Sequence, residues 1–130
     1  MGSLDVPFGD AKLTLDYIRD ATNILLKKNL KPLIIGGEHS ITSGIIKSII
    51  TNYPDLIMLQ LDAHADLRDE WLGSKFSHAC TMKRCLEILP SKKIFQIGIR
   101  SGTKSEFHEM NNTKIEALNV LFKILLTSAP

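Results

Sequence analysis

Residues 56–66 read LIMLQLDAHAD, and this stretch decides how the chain is expected to fold. Its first six residues are almost continuously apolar, which is typical of a strand covered on both faces of a parallel sheet. The next five residues place Asp62, His64 and Asp66 at alternate positions. Because alternate side chains of an extended chain point the same way, we expect these three to lie together at the carboxyl end of the strand.

A second apolar run, at residues 33–35, ends in a similar way. Two glycines stop the run, and His39 follows shortly after them in the sequence GGEHS. The run predicts another buried strand, so His39 is expected at the same edge of the sheet. Two imidazoles and two carboxylates would then face one space.

The remaining segments alternate between helical and extended patterns. Apolar residues at helical spacing predict helices over 11–29, 40–51 and 77–89, and residues 94–99 predict a third strand. Residues 62–75 are expected to be a loop, and the polar stretch after residue 100 is given no element. A further amphipathic helix is predicted around Ile115, Leu118, Leu121, Phe122 and Leu125. Strands that alternate with helices indicate an α/β fold, a three-layer parallel sheet with flanking helices.

Composition and charge exclude several classes of partner. The net charge of +2 comes from 16 basic and 14 acidic residues that form no basic stripe, so nucleic acid is not an expected partner. No apolar run approaches the roughly 20 residues of a membrane-spanning helix, and the first residues do not resemble a signal peptide. The two cysteines, Cys80 and Cys85, match neither a zinc spacing nor a disulfide framework. We therefore expect a cytoplasmic protein with free thiols and no membrane contact.

The pattern Asp-x-His-x-Asp favours a metal site. A lone histidine such as His39 is usually an ordinary hydrogen-bonded residue, but two carboxylates on one side of a strand end repel each other unless cations neutralise them. Imidazole and carboxylate ligands without thiolate suit Mn²⁺, with iron, cobalt and zinc as alternatives. If Asp62 bridged two ions about 3.5–4 Å apart, a water between them would ionise near neutral pH and become a nucleophile.

Three blocks of sequence now resemble a known family. They are IIGGEHSITSG (34–44), LQLDAHADLRDEWLGSKFSHACTMKR (59–84) and IFQIGIRSGTKSEF (94–107). They look like consecutive blocks of the ureohydrolases, the arginase and agmatinase family, and the middle block is most similar to agmatinases. The resemblance implies an arginase-like fold, a binuclear Mn²⁺ centre and hydrolysis of agmatine to urea and putrescine in polyamine biosynthesis. It also implies His39, Asp62, His64 and Asp66 as metal ligands and His78 as a catalytic histidine near the substrate.

The extent of the resemblance leaves more than one function open. We interpret residues 1–130 as a single partial ureohydrolase domain, truncated at both ends, with a family-like region over about 31–107 and a divergent tail over 108–130. The family's later Ser-x-Asp-x-Asp motif does not occur, since no aspartate follows Asp69. The alternatives are an agmatinase-like enzyme and a non-catalytic metal-binding fragment or interaction module, such as half of a split ureohydrolase. The expected partners are a small guanidino substrate and either further copies of the chain or a complementary C-terminal half.

Overall fold

The computed structural model describes residues 2–117, which form four α-helices and three short strands. In chain order the elements are α1 (Ala11–Lys27), α2 (Ile41–Asn52), β1 (Met58–Leu61), α3 (Thr81–Leu86), β2 (Ile94–Ile97), α4 (Lys104–Thr113) and β3 (Glu116–Ala117). Single 3₁₀ turns, His78–Cys80 and Ser91–Lys93, precede α3 and β2. No helix of residues 2–117 is both long and apolar enough to cross a bilayer.

The three strands form a parallel sheet in the order β1-β2-β3. Met58 is paired with Ile94 and Gln60 with Gln96, so residues of equal parity in β1 and β2 share a face. Met58 and Gln60 are buried, whereas Leu59 and Leu61, which alternate with them, are exposed. The described helices therefore cover one face of the sheet, and the resulting structure is a partial α/β domain with a parallel sheet, as predicted.

The core lies between the covered face of the sheet and the helices. Met58 and Ile94 supply the sheet side, and α2, α3 and α4 add Ile46, Met82 and Met110. Helix α1 is placed against α2, where Gly44 allows close contact: a Cβ there would lie 2.8 Å from the carbonyl oxygen of Leu15. Helices α2, α3 and α4 thus pack around one apolar centre below the sheet, and α1 packs against α2.

Several predicted elements are confirmed with shifted ends. Helix α1 begins at residue 11, as predicted, because the Asp10 carboxylate accepts a hydrogen bond of 2.9 Å from the Leu13 N–H. Helix α2 and strands β1 and β2 lie within one or two residues of their predicted positions. The predicted helix over 77–89 is shorter, because a 3₁₀ turn occupies its start and α3 ends at residue 86.

The predicted buried strand at residues 33–35 is wrong. The segment has no strand pairing, and Leu33 and Ile35 are 89% and 78% exposed. A continuous apolar run records only that the side chains are apolar, while a strand also needs a neighbour that supplies hydrogen bonds along its backbone. Within residues 2–117, the outer edge of β1 is not joined to this segment by a ladder.

The tail also differs from the prediction. Helix α4 lies in the polar stretch that was given no element, and it begins with a capping box in which the Thr103 and Glu106 side chains each bond the other's backbone N–H. The predicted helix at Ile115 is wrong where the structure describes it, because Glu116–Ala117 form β3 beside β2. Its remaining positions, Leu118, Leu121, Phe122 and Leu125, lie outside the described residues.

Candidate metal centre

A cleft of about 390 Å³ lies at the carboxyl ends of β1 and β2. Backbone hydrogen bonds continue past the ends of β1 and β2 and hold together the segments that form the base of the cleft. The Asp62 N–H donates to the Ile97 carbonyl at 3.1 Å, and the Ala65 N–H donates to the Ser101 carbonyl at 3.0 Å. All five side chains predicted to form the site line this cleft, namely His39, Asp62, His64, Asp66 and His78.

Three of these five side chains form a tight group. One ligand atom each from His39, Asp62 and Asp66 lies within 4.8 Å of the others. The His39 Nδ1 is 3.0 Å from Asp66 Oδ2. Ligands about 2.0–2.2 Å from a single ion lie within roughly 4.4 Å of one another, so the group is close to the spacing that one ion needs. His39 reaches this group although residues 33–35 do not form the predicted strand.

His64 lies beside this group. Its Nδ1 is 3.1 Å from Asp62 Oδ1, and its backbone N–H donates to the same oxygen at 2.8 Å. The ring is 64% exposed on the rim of the cleft. His64 therefore contacts one member of the group, Asp62, and turns most of its surface to the open side.

His78 is also on the rim, where sequence reasoning missed its neighbour. Its Nδ1 lies 3.5 Å from Oε1 of Glu38, whose other oxygen accepts hydrogen bonds from the backbone and hydroxyl of Ser40. The Gly-Gly-Glu-His-Ser turn thus carries a carboxylate toward His78 as well as His39 toward the centre. The only sequence signal for Glu38 was its place next to His39.

Asp66 has an unusual backbone conformation that two helices hold in place. Its φ is +52°, in the left-handed region that costs a non-glycine residue about 1–2 kcal/mol. Its carbonyl accepts the N–H groups of Met82 and Lys83 at 2.9 and 3.3 Å, at the start of α3. The N–H of the same peptide bond, on Leu67, donates to Glu106 Oε1 at 3.0 Å. Both ends of this peptide are therefore fixed by contacts remote in sequence.

Glu106 is a second residue that sequence reasoning did not select. It is buried on α4, and its Oε2 accepts the Thr103 N–H and hydroxyl at 2.8 Å, with Arg68 Nε at 3.5 Å. Arg68 in turn lies 3.9 Å above the Trp71 ring. The spacing Thr-x-x-Glu was a capping signal in the sequence, but nothing there indicated the bond to residue 67.

Charge and hydrogen bonding stabilise the ionised forms of His39 and Asp62. The hydrogen bond to Asp66 raises the pKa of His39; burial opposes this shift, and the charges of Asp66 and Asp62 add to it. Burial would raise the pKa of Asp62, but hydrogen bonds from the backbone and ring of His64 outweigh it, and the pKa is lowered. A site that favours a proton on His39 between two carboxylates is one where a cation can replace that proton.

The chemistry of the donors fits a divalent ion of intermediate or hard character. The group offers one imidazole nitrogen and carboxylate oxygens, the combination that suits manganese and related ions. Both thiols lie elsewhere, in the interior, and burial raises the pKa of Cys85 to about 12. His39, Asp62 and Asp66 would hold the ion, with His64 adjacent to Asp62.

Comparisons with known proteins identify relatives of this arrangement. The family model described as the arginase family matches residues 1–121, which extends beyond the three quoted blocks on both sides. An uncharacterised 32.2 kDa protein of Methanothermus fervidus is 42% identical over 89% of the chain, and the agmatinase of Bacillus subtilis is 34% identical over 95%. A crystal structure of a candidate agmatinase from Clostridium difficile superposes with a TM-score of 0.82 at 38% identity over 88% of the chain. The chain spans 40%, 44% and 41% of the length of these three proteins.

Proposed function

The chain belongs to the arginase family, and on that premise we propose that it takes part in the Mn²⁺-dependent hydrolysis of a guanidino compound, agmatine, to urea and putrescine. The observation that carries the proposal is the group formed by His39, Asp62 and Asp66 at the mouth of the sheet. Divalent ions bound there would supply the charge that ionises a water near neutral pH. The choice of agmatine rests on the name of the Bacillus subtilis relative.

The side chains of the cleft have two different roles in this proposal, metal binding and proton delivery. Asp62 and Asp66 provide negative charge for the ions, and their carboxylates are held by hydrogen bonds from His64 and Gln60. His78 stands on the open rim with Glu38 at 3.5 Å, which suits it to deliver a proton to the departing amine. Proton delivery is needed because an amine leaves readily only when it is protonated.

A second candidate function is a metal-binding half that acts with another polypeptide. One observation favours it: three ligand atoms are grouped among the described residues, which is enough for one ion. Leu59 and Leu61 also leave an apolar face of the sheet exposed. In this version a complementary chain, or another copy, covers that face and completes the centre.

Urea release and metal stoichiometry distinguish these functions. The chain is incubated with agmatine and Mn²⁺, alone and together with the part of the Bacillus subtilis agmatinase that it does not match. Urea from the chain alone supports the first function, and urea only from the mixture supports the second. Calorimetry with Mn²⁺ on the Asp66→Asn variant should show lost binding. Asp69→Asn is the matched control, since that exposed carboxylate pairs with Arg84 outside the cleft. A parent chain that binds no Mn²⁺ in either setting overturns both.

A further inference from the structure

Two buried glutamines lie side by side behind the metal group. Gln60 of β1 and Gln96 of β2 are register partners on the covered face of the sheet, and Gln96 has no exposed surface. Their neighbours on this face are apolar, with Met58 and Ile94 one step back along the strands. Long amide side chains are uncommon in such a position and are tolerated only where hydrogen bonds satisfy them.

The two amides form a chain of hydrogen bonds that ends on a predicted ligand. Gln96 Nε2 donates to Gln60 Oε1 at 2.5 Å and to the Ala65 carbonyl at 3.0 Å. Gln60 Nε2 donates to Asp66 Oδ2 at 3.3 Å. The same Oδ2 lies 3.0 Å from His39 Nδ1. One carboxylate oxygen is therefore held from the interior by an amide and from the cleft by an imidazole.

The direction of this chain follows from the charge of Asp66. An ionised carboxylate only accepts hydrogen bonds, so Gln60 must turn its NH₂ group toward Asp66 and its oxygen toward Gln96. Gln96 must then turn its own NH₂ group toward Gln60, where it also reaches the Ala65 carbonyl. This leaves Gln96 Oε1 buried without a partner among the described residues. A pair of apolar side chains would avoid the free-energy cost of this unsatisfied oxygen. The two glutamines therefore do more to orient the Asp66 carboxylate than to stabilise the core.

We propose that Gln60 and Gln96 are positioning residues that aim the Asp66 carboxylate at the metal group, which rests on the function proposed above. Asp66 already has its backbone fixed at both ends of one peptide. What remains free is the rotation of its carboxylate, and Gln60 limits that rotation from the interior. Gln96 does not bond the Asp66 side chain. It fixes which way the Gln60 amide points, and it also holds the Ala65 carbonyl in the peptide that precedes Asp66.

The test compares Gln60→Met, Gln96→Met and the double variant with the parent chain by calorimetric titration with Mn²⁺. Loss of a group that orients a ligand typically weakens metal binding by about 10–100-fold, and we expect this for Gln60→Met. Because Gln96 acts largely through Gln60, the loss of affinity in the double variant should be smaller than the sum of the losses in the two single variants. Thr22→Val is the matched control, since it also removes a buried polar group, one bonded to the Ile18 carbonyl within α1.

Affinity separates positioning from packing. A packing role would lower the melting temperature of both glutamine variants and leave the Mn²⁺ affinity of the folded protein as in Thr22→Val, which overturns the proposal. Additive losses of affinity in the double variant overturn the route through Gln60.

A second readout needs no metal. In ¹⁵N NMR spectra of the parent, the side-chain NH₂ groups of both glutamines should exchange slowly with solvent, and Asp66→Asn should shift both signals. If the parent binds no Mn²⁺ but these shifts appear, the proposed function fails and the positioning of Asp66 stands. If the NH₂ groups exchange rapidly with solvent, or if Asp66→Asn leaves both signals unshifted, the positioning of Asp66 is refuted whether or not the parent binds Mn²⁺.

Discussion

Replacing the buried Glu106 by alanine should strongly destabilise the protein. The carboxylate accepts the buried N–H of Leu67 at 3.0 Å and the N–H of Thr103 at 2.8 Å. Alanine leaves both donors without a partner. A hydrogen bond to a charged group contributes about 1.5–3 kcal/mol, so two of them sum to about 3–6 kcal/mol. That is a large part of the about 5–15 kcal/mol that stabilises a typical domain.

Glu106→Gln should have a smaller effect. The amide oxygen of glutamine can still accept the Leu67 N–H, but its NH₂ group then meets Thr103, whose own N–H needs an acceptor. We expect a loss of about 1–3 kcal/mol, the cost of one unsatisfied donor. Glu109→Ala on the same helix is the control: its partly exposed pair with Lys83, at 2.8 Å, should contribute less than about 1 kcal/mol.

Urea denaturation measures the free energy of unfolding of the three variants and the parent. The protein has one tryptophan, Trp71, and its ring stacks with Arg68 next to Glu106, so its fluorescence reports this region. Circular dichroism follows the helices in parallel, and the two midpoints should agree. If Glu106→Ala is no less stable than Glu109→Ala, the hydrogen bonds of Glu106 to Leu67 and Thr103 do not stabilise the fold, and the prediction is refuted.

Three further predictions concern pH, a glycine and a thiol. Burial opposes ionisation of Glu106, but hydrogen bonds from Thr103 and Leu67 lower its pKa below 4.5. The ionised carboxylate therefore stabilises the protein above pH 4.5, and this contribution is lost as the pH falls through the pKa of the folded state. Urea denaturation should show that the difference in unfolding free energy between the parent and Glu106→Gln becomes smaller in acid. Gly98→Ala should lower the free energy of unfolding by about 1–3 kcal/mol, because φ is +89° and the new Cβ would lie 3.1 Å from the Asp62 carbonyl oxygen. Gly73→Ala is the control: φ is +79° and no atom lies within 4 Å of the new Cβ, so thermal unfolding of both variants should show a smaller loss for it. Burial raises the pKa of Cys85 to about 12, so a thiol reagent at neutral pH should label it only in denaturant, and rapid labelling of the folded chain would contradict its burial.

The part of the site that sequence predicts is the part built by local geometry. Asp62 and His64 follow a strand directly, so their positions depend on a few backbone angles, and both line the cleft. His39 was predicted from a strand that does not exist, yet it reaches Asp66. Its position depends on the turn before α2, where Glu38 accepts the Ser40 N–H, and not on a ladder.

What sequence could not predict are the contacts between residues far apart in the chain. Nothing about Gln60 or Gln96 alone indicates a pair, because their contact depends on the register of β1 against β2. Glu106 was readable as a helix cap, but its bond to Leu67 spans 39 residues. The prediction of a strand at residues 33–35 was wrong for the same reason, because strand pairing depends on two segments and the sequence pattern describes only one of them.

Asp66 shows why such remote contacts decide the quality of this centre. A left-handed aspartate is unfavourable in isolation, so the conformation persists only because surrounding groups favour it. Met82 and Lys83 of α3 and Glu106 of α4 hold its backbone, and Gln60 of the sheet holds its carboxylate. Loss of any one should loosen the ligand without removing it. Replacement of Glu106, on a helix that carries none of the predicted ligands, is therefore expected to weaken Mn²⁺ binding in calorimetric titration as well as folding.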